Sequence, residues 1–268
     1  MSDTWEAFAI AYARHDRPAA ENFIGGDPHN GPMPLNYYVW VLRNGARTIV
    51  VDTGFDQRGA DLRGRTITQP VAKGLAALGV ETASVEDVIV THMHYDHIGN
   101  HDLLPNARFH LQDCEMAFAT GRCMCHPGVN HSFEIEDVVK MVRRVHGGKV
   151  RFHDGDAELF PGIRVHLVGG HSRGLQCVSV DTARGPVVLA SDTAHHFAHI
   201  QQARVFPTVD SVPGVLEGYE TLKRLGGGLD RIVPGHDPLV TELYPALRPD
   251  TEGWIVRLDR SPMTVPDL

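Results

Sequence analysis

Short runs of β-branched and aromatic residues, bounded by turn residues, recur along the chain: AFAIAYA (7–13), YYVWVLR (37–43), TIVVD (48–52), DVIVTH (87–92), VRFHD (150–154), IRVHLV (163–168), CVSVDT (177–182) and PVVLAS (186–191). Their length and composition predict strands. Between them, apolar positions at helical spacing mark VAKGLAALGV (71–80), LQDCEMAFAT (111–120), SFEIEDVVKMVRRV (132–145) and VPGVLEGYETLKRL (212–225), the last with proline in its first turn. Strands interspersed with helices predict an α/β chain built on mixed sheets. No internal repeat, low-complexity tract or Ser/Gly linker divides the 268 residues, and the loop-rich IGGDPHNGPMP (24–34) lies too near the N-terminus to separate two domains. One domain over residues 1–268 is the expectation. The segment 247–268, with three prolines and little periodicity, predicts an extended surface tail interrupted by a short strand around Trp254–Leu258.

Composition narrows the function. With 42% hydrophobic and 22% charged residues the chain is of ordinary globular character. A net charge of −8, from 25 Lys+Arg against 33 Asp+Glu, argues against nucleic acid as a partner. The apolar runs fall well short of the roughly 18 residues of a spanning helix, and acidic residues stand where a signal peptide is basic, which predicts no membrane association and a cytoplasmic location. Four cysteines, three of them within twelve positions (Cys114, Cys123, Cys125), make no dense disulfide framework. Seventeen histidines against four lysines is the one unusual feature, a large stock of neutral nitrogen ligands.

Residues 91–97 read Thr-His-Met-His-Tyr-Asp-His directly after the apolar VIV, which presents His92, His94, Asp96 and His97 where a buried strand runs into a loop. In extended chain His92, His94 and Asp96 share a face, and a turn at Tyr95–His97 would redirect Asp96 and His97 to a second site. Three more candidates each follow an apolar run: His171 after VHLVGG, Asp192 after VVLAS and His236 after RIVPG. The set divides into a His92/His94/His171 site and an Asp96/His97/His236 site, with Asp192 able to bridge both through its two oxygens. Imidazoles with carboxylate suit two divalent ions, zinc first, with cobalt, manganese or iron also compatible.

THMHYDH, GGHS, SD and PGHD, in that order, with VDTGF (51–55) upstream, resemble the metallo-β-lactamase-fold hydrolases over nearly the whole chain. That resemblance implies an αββα sandwich of two mixed β-sheets flanked by helices, the metals in a cleft at the strand ends, and Asp52 supporting the ligands from behind. Asp192 stands where zinc β-lactamases place cysteine, and Cys177 reads as a strand core residue. The chain is therefore more similar to the dinuclear lactonase and glyoxalase II groups. About thirty Pro-rich residues after His236 do not match the helical C-terminal region of glyoxalase II, and the N-terminal strand, the 22–40 loop region and GHDP are similar to N-acyl homoserine lactone lactonases, the quorum-quenching enzymes. The resemblance implies hydrolysis of such a lactone or a related small lactone, on a monomer or homodimer; an amide, other ester or thioester hydrolase using the same two metals is the alternative. Those lactonases place a tyrosine three residues after the bridging aspartate, whereas here that position is His195.

The expected chemistry is metal-assisted attack of a water whose pKa is lowered toward about 7 on the ring carbonyl. Asp192, Asp96 and His195 are the candidate catalytic residues, Asp192 as proton shuttle and His195 as oxyanion donor. Phe23, Ile24, Met33, Leu35, Tyr38, Phe197 and Phe206 are candidates to wall an apolar pocket. In GRCMCHPGVNH (121–131) the Cys-x-Cys spacing of Cys123 and Cys125, with His126 and His131, departs from the structural-zinc pattern and predicts a loop near the cleft mouth.

Overall fold

The computed structural model describes residues 4–45 and 47–268. Its strands are β1 (Glu6–His15), β2 (Leu35–Asn44), β3 (Arg47–Val51), β4 (Thr66–Ile67), β5 (Asp87–Ile89), β6 (Arg108–Gln112), β7 (Val150–His153), β8 (Ala157–Phe160), β9 (Ile163–Leu167), β10 (Gln176–Thr182), β11 (Gly185–Ser191), β12 (Ile232–Pro234) and β13 (Ile255–Arg257). The helices are α1 (Gln57–Arg63), α2 (Val71–Ala77), α3 (Tyr95–Ile98), α4 (Asp113–Ala119), α5 (Pro127–Asn130), α6 (Ile135–His146), α7 (Phe197–Gln202), α8 (Val212–Gly226) and α9 (Leu239–Leu243).

Among the described residues the strands form two mixed sheets. The first runs β13-β1-β2-β3-β5-β6-β7 with β4 on β1, and the second runs β12-β11-β10-β9-β8. In the first, β1, β2 and β3 pair antiparallel and β3, β5, β6 and β7 parallel. In the second, only β11 and β12 are parallel.

Side-chain alternation explains how the layers stack. In β1, Ala7, Ala9 and Ala11 face the space between the sheets, together with Tyr38, Trp40 and Leu42 of β2 and Val187 and Leu189 of β11. The alternate residues Phe8, Ile10 and Tyr12 face outward and pack under α1, α2 and α6 through Ala60, Leu75 and Met141. Outside the second sheet, Val188 and Ala190 of β11 pack under Val215, Tyr219 and Leu222 of α8. The order is therefore helices, sheet, sheet, helices, as the resemblance implies. Each fully buried large apolar side chain contributes roughly 1.5–3 kcal/mol, and because both faces of β1 and β2 are covered these strands read as continuous apolar runs.

The eight strands predicted from sequence are all present. β6 is not predicted: residues 111–112 belong to it, and α4 starts only at Asp113. Its alternation of Phe109 and Leu111 with His110 and Gln112 is too short to register as a pattern. The C-terminal segment is more than a surface tail, since Ile255, Val256 and Leu258 are buried and β13 extends the first sheet beside β1. No helix among the described residues is long and apolar enough to cross a membrane.

Candidate metal centre

Every candidate ligand sits just beyond the C-terminal end of a strand. β5 ends at Ile89, the chain passes Thr91–His94 in irregular conformation, and one helical turn, α3, swings Asp96 and His97 away from His92 and His94. This is the redirection the spacing anticipated. His171 lies in the loop between β9 and β10, Asp192 follows β11 at once, and His236 follows β12. Two strand-end residues adopt left-handed backbone, Asp52 (φ 60) and Ser191 (φ 47), a conformation that costs non-glycine residues energy. Gly235 lets the β12 loop approach: a Cβ there would lie 2.6 Å from the Ser191 carbonyl oxygen and 2.7 Å from Asp192 Oδ1.

All seven residues are buried and converge. Ligand atoms of His92, His94 and His171 lie within 4.8 Å of one another, as do those of Asp96, His97, Asp192 and His236 and those of His171, Asp192 and His195. Asp192 stands between the groups. Its Oδ2 lies 3.8 Å from His92 Nε2, 3.2 Å from His171 Nε2 and 3.2 Å from His195 Nε2. Its Oδ1 lies 3.0 Å from His236 Nε2 and 3.4 Å from His97 Nε2. Asp96 Oδ2 is 3.6 Å from His97 Nε2 and 3.7 Å from His236 Nε2. Ligands on bonds of about 2.0–2.1 Å at tetrahedral angles stand about 3.3 Å apart, so the donor set has spacings compatible with divalent-metal binding.

Unpaired donors point the same way. Nε2 of His92, His97 and His195 and Oδ1 of Asp192 are buried without an aligned hydrogen-bond partner. An orphaned buried polar atom costs about 1–3 kcal/mol, and a shared cation would satisfy those of His92, His97 and Asp192 together.

The opposite ring nitrogens are fixed from behind. His171 Nδ1 donates to the Thr208 carbonyl at 2.6 Å and His236 Nδ1 to that of Asn36 at 2.9 Å, which leaves each Nε2 as a lone pair facing the cluster. His97 Nδ1 is 2.7 Å from Asp52 Oδ2, and Asp52 also accepts from the Thr91 amide at 2.8 Å and the Thr91 hydroxyl at 2.7 Å. Asp52 thus supports the cluster from behind, as the resemblance implies. Such outer hydrogen bonds set tautomer and ring orientation.

Burial holds His92, His94 and His195 well below the ordinary imidazole range, so they present neutral nitrogens. Burial acts on His97 in the same direction, but Asp96, Asp192 and Asp52 outweigh it and hold that group high. Burial raises Asp192 while His236, His97 and His195 outweigh it, keeping the carboxylate ionised.

One buried carboxylate that sequence reasoning passed over organises the site. Glu115 in α4 accepts from the Met93 amide (2.7 Å), the Ser172 hydroxyl (2.6 Å) and the Gly174 amide (2.8 Å), which ties the His92–His94 segment to the His171 loop. The only signal was its place in a predicted helix beside apolar residues, which does not reveal partners 22, 57 and 59 positions away.

His195 lines the cavity in front of the cluster and is stacked on Phe206, centroids 3.7 Å apart. His196 and His199 instead hold backbone, with Nε2 at 3.2 Å from the Pro34 carbonyl and 2.9 Å from the Asn22 carbonyl. The cavity measures about 270 Å³.

The predicted apolar pocket is not there. Of its seven candidates only Leu35 lines the cavity. Tyr38 and Phe197 are buried between the sheets, Phe206 lies behind His195, Phe23 packs on His199, Ile24 is exposed, and Met33 does not reach the cavity. These residues follow strand and loop packing, which residue type alone does not distinguish from pocket lining.

His131 does line the cavity mouth, so the 121–131 segment is where the sequence placed it, and its Cys123, Cys125 and His126 join none of the ligand-like groups among the described residues. Cys177 is a buried strand residue whose thiol burial pushes up to about 12. A larger cavity of about 630 Å³ opens at the N-terminal ends of β3, β5, β6 and β7, and it contains none of the clustered residues.

Residues 32–236 match the family model of the metallo-beta-lactamase superfamily, and the chain belongs to that superfamily. Metallo-beta-lactamase domain-containing protein 1 of Homo sapiens is 30% identical over 207 residues, 76% of this chain and 64% of that protein. An N-acyl homoserine lactonase of Bacillus thuringiensis is 25% identical over 178 residues, 60% of this chain and 66% of its own. The matched region thus spans just under two thirds of each relative. A crystal structure of a quorum-quenching N-acyl homoserine lactone lactonase has a TM-score of 0.73 at 21% identity, covering 88% of this chain and 93% of that one. A dizinc quorum-quenching lactonase in complex with a homoserine product has a TM-score of 0.68 at 17% identity, covering 87% of each. The chain thus joins membership of this superfamily to a His/Asp cluster compatible with divalent metal.

Proposed function

We propose that the chain binds two divalent cations, zinc in the first instance, and hydrolyses a small lactone, with N-acyl homoserine lactones and related rings as the leading class. His92, His94 and His171 would hold one ion, Asp96, His97 and His236 the other, and Asp192 both. The observation that carries this reading is the two-sidedness of Asp192, whose Oδ2 faces one histidine group and whose Oδ1 faces the other. Bound there, the ions would supply a nucleophilic water at neutral pH and polarise the substrate carbonyl.

The chain's own residues would do the rest. His195 Nε2, on the cavity wall and held by its stack on Phe206, would donate to the carbonyl oxygen as negative charge develops there. Asp192, buried beside the attacking position, would take the water's proton and return it to the departing alkoxide. Likeness in name and fold to N-acyl homoserine lactonases supports the ester class.

The test is acid release from short- and long-chain homoserine lactones by the metal-replete protein, against matched cyclic amides and thioesters. Ring opening of lactones alone supports the reading. Turnover of an amide or thioester with no lactone opened replaces it by the alternative hydrolase.

A further inference from the structure

The wall of the cavity in front of the centre includes Arg17, Arg63 and Arg65, together with Tyr37, Tyr95 and Leu35. Three guanidinium groups are unusual beside a site for a neutral acyl lactone. Their charges are not equally balanced. Arg63 is matched by Glu134 at 3.4 Å and lies over the Tyr95 ring at 4.1 Å. Arg17 has Glu21 3.6 Å from its Nε, with that carboxylate 57% exposed and the Nε itself lacking a hydrogen-bond partner.

Arg65 is half-buried and, among the described residues, has no carboxylate within 4 Å. Its Nε donates to the Tyr95 hydroxyl at 3.2 Å, and its Nη1 donates to the Arg63 carbonyl at 2.6 Å and meets His15 Nε2 at 3.1 Å. Those contacts fix the guanidinium in place and leave Nη2 without a hydrogen bond among the described residues. His15 adds no charge, because burial, and after it Arg65 and Arg17, push it down to about 4. Burial opposes the Arg65 charge while the hydroxyls of Tyr37 and Tyr95 and the carboxylate of Asp96 favour it, but Asp96 belongs to the ligand cluster, so no carboxylate pairs directly with this guanidinium. The carboxylates lining the cavity are Asp96 and Asp192, both in the ligand cluster.

We infer that the substrate carries a carboxylate remote from the bond that is cleaved, and that Arg65, assisted by Arg17, binds it. One unmatched guanidinium calls for a single negative charge, which suits a carboxylate better than a phosphate dianion, and a planar fork is shaped to hold one. The cavity of about 270 Å³ accommodates a compact acidic substrate. For the reaction this inference rests on the hydrolase reading above and narrows its substrate to a lactone that carries a carboxylate, in place of a neutral N-acyl homoserine lactone; for binding it stands alone.

Calorimetric titration of the zinc-loaded protein with glutarate and with butyrate separates the two. Butyrate reports carboxylate binding at the metal centre, and glutarate adds a second carboxylate. We expect glutarate to bind at least tenfold more tightly than butyrate, that advantage to vanish in Arg65→Met and to be partly kept in Arg65→Lys. Thermal unfolding checks that both variants fold; if Arg65→Met does not, Arg65→Lys and Arg17→Met carry the comparison, each with a reduced advantage. Equal affinity for the two acids, or an advantage unchanged in the variants, overturns the inference.

The turnover arm uses 5-oxotetrahydrofuran-2-carboxylate and its methyl ester, with the wild type favouring the acid in kcat/KM and Arg65→Met losing that preference. A glutarate advantage with neither lactone opened would uphold the anion site and count against the lactone reading. Lactones opened without preference for the charged one, and no glutarate advantage, would do the reverse.

Discussion

Asp192 carries the heaviest demand of any single residue, because each of its oxygens faces a different histidine group. Asp192→Asn would keep one carbonyl oxygen and lose the anionic bridge. We predict that bound metal falls from about two ions to one or fewer per chain and that hydrolysis drops by roughly a thousandfold or more, read by elemental analysis and acid release. Asp52 acts one layer further out, through His97 at 2.7 Å. Asp52→Ala should weaken metal binding by roughly 10–100-fold while leaving the fold intact, measured by competition with a chelator.

Away from the cleft, Asp137 in α6 is held up at about 7 by burial, with Lys140 only partly offsetting it. Its folded value lies above the ordinary 3.8, so the folded chain holds this proton more tightly than the unfolded chain does. Its contribution to stability is full below about pH 4 and is lost as pH rises through about 7. Asp137→Asn should therefore raise the urea midpoint at pH 8 and leave it unchanged near pH 4; an equal midpoint at pH 8 would contradict this. All seven ligand candidates were legible because each directly follows an apolar run. Glu115 and Asp137 were not, because their burial depends on segments distant in sequence.

At the scale of elements, the strands that were legible are marked by clustered β-branched and aromatic residues bounded by turn residues. β4, β6 and β8 were not, being short or interrupted by polar residues, and the single turn of α3 is too brief for periodicity to mark. What α3 does was nonetheless implicit in the spacing of His92, His94, Asp96 and His97. Loop approach was less visible. Gly235 allows the β12 loop to pass beside Ser191 and Asp192, where a Cβ would meet atoms 2.6 and 2.7 Å away. Both neighbours are fixed by the centre itself, so Gly235→Ala should shift His236. We expect this variant to lose metal from the Asp96/His97/His236 half first, seen as about one ion retained per chain. Glu115→Ala would leave two buried amides unmatched and should cost roughly 2–5 kcal/mol in a denaturant titration.

For the whole molecule, two sheets packed through the alanine face of β1 bring the ends of β3, β5, β11 and β12 to one rim, and the donor set is assembled there. Net charge gave no hint of the cavity's character: a chain at −8 lines the space before its His/Asp cluster with three arginines. Global composition describes solubility and long-range attraction, whereas the charge met by a substrate is set by a few side chains from the loop after β1, the end of α1 and the turn that leads into β4. The sequence likewise did not show that the apolar candidates pack away from the cavity, since core and pocket draw on the same residue types.

The central claim is a paired metal centre bridged by Asp192, and its most direct test is the metal content of wild-type protein purified without chelator, by elemental analysis. The account predicts about two divalent ions per chain. One ion or none, with the protein folded and divalent metal supplied in excess, would contradict it.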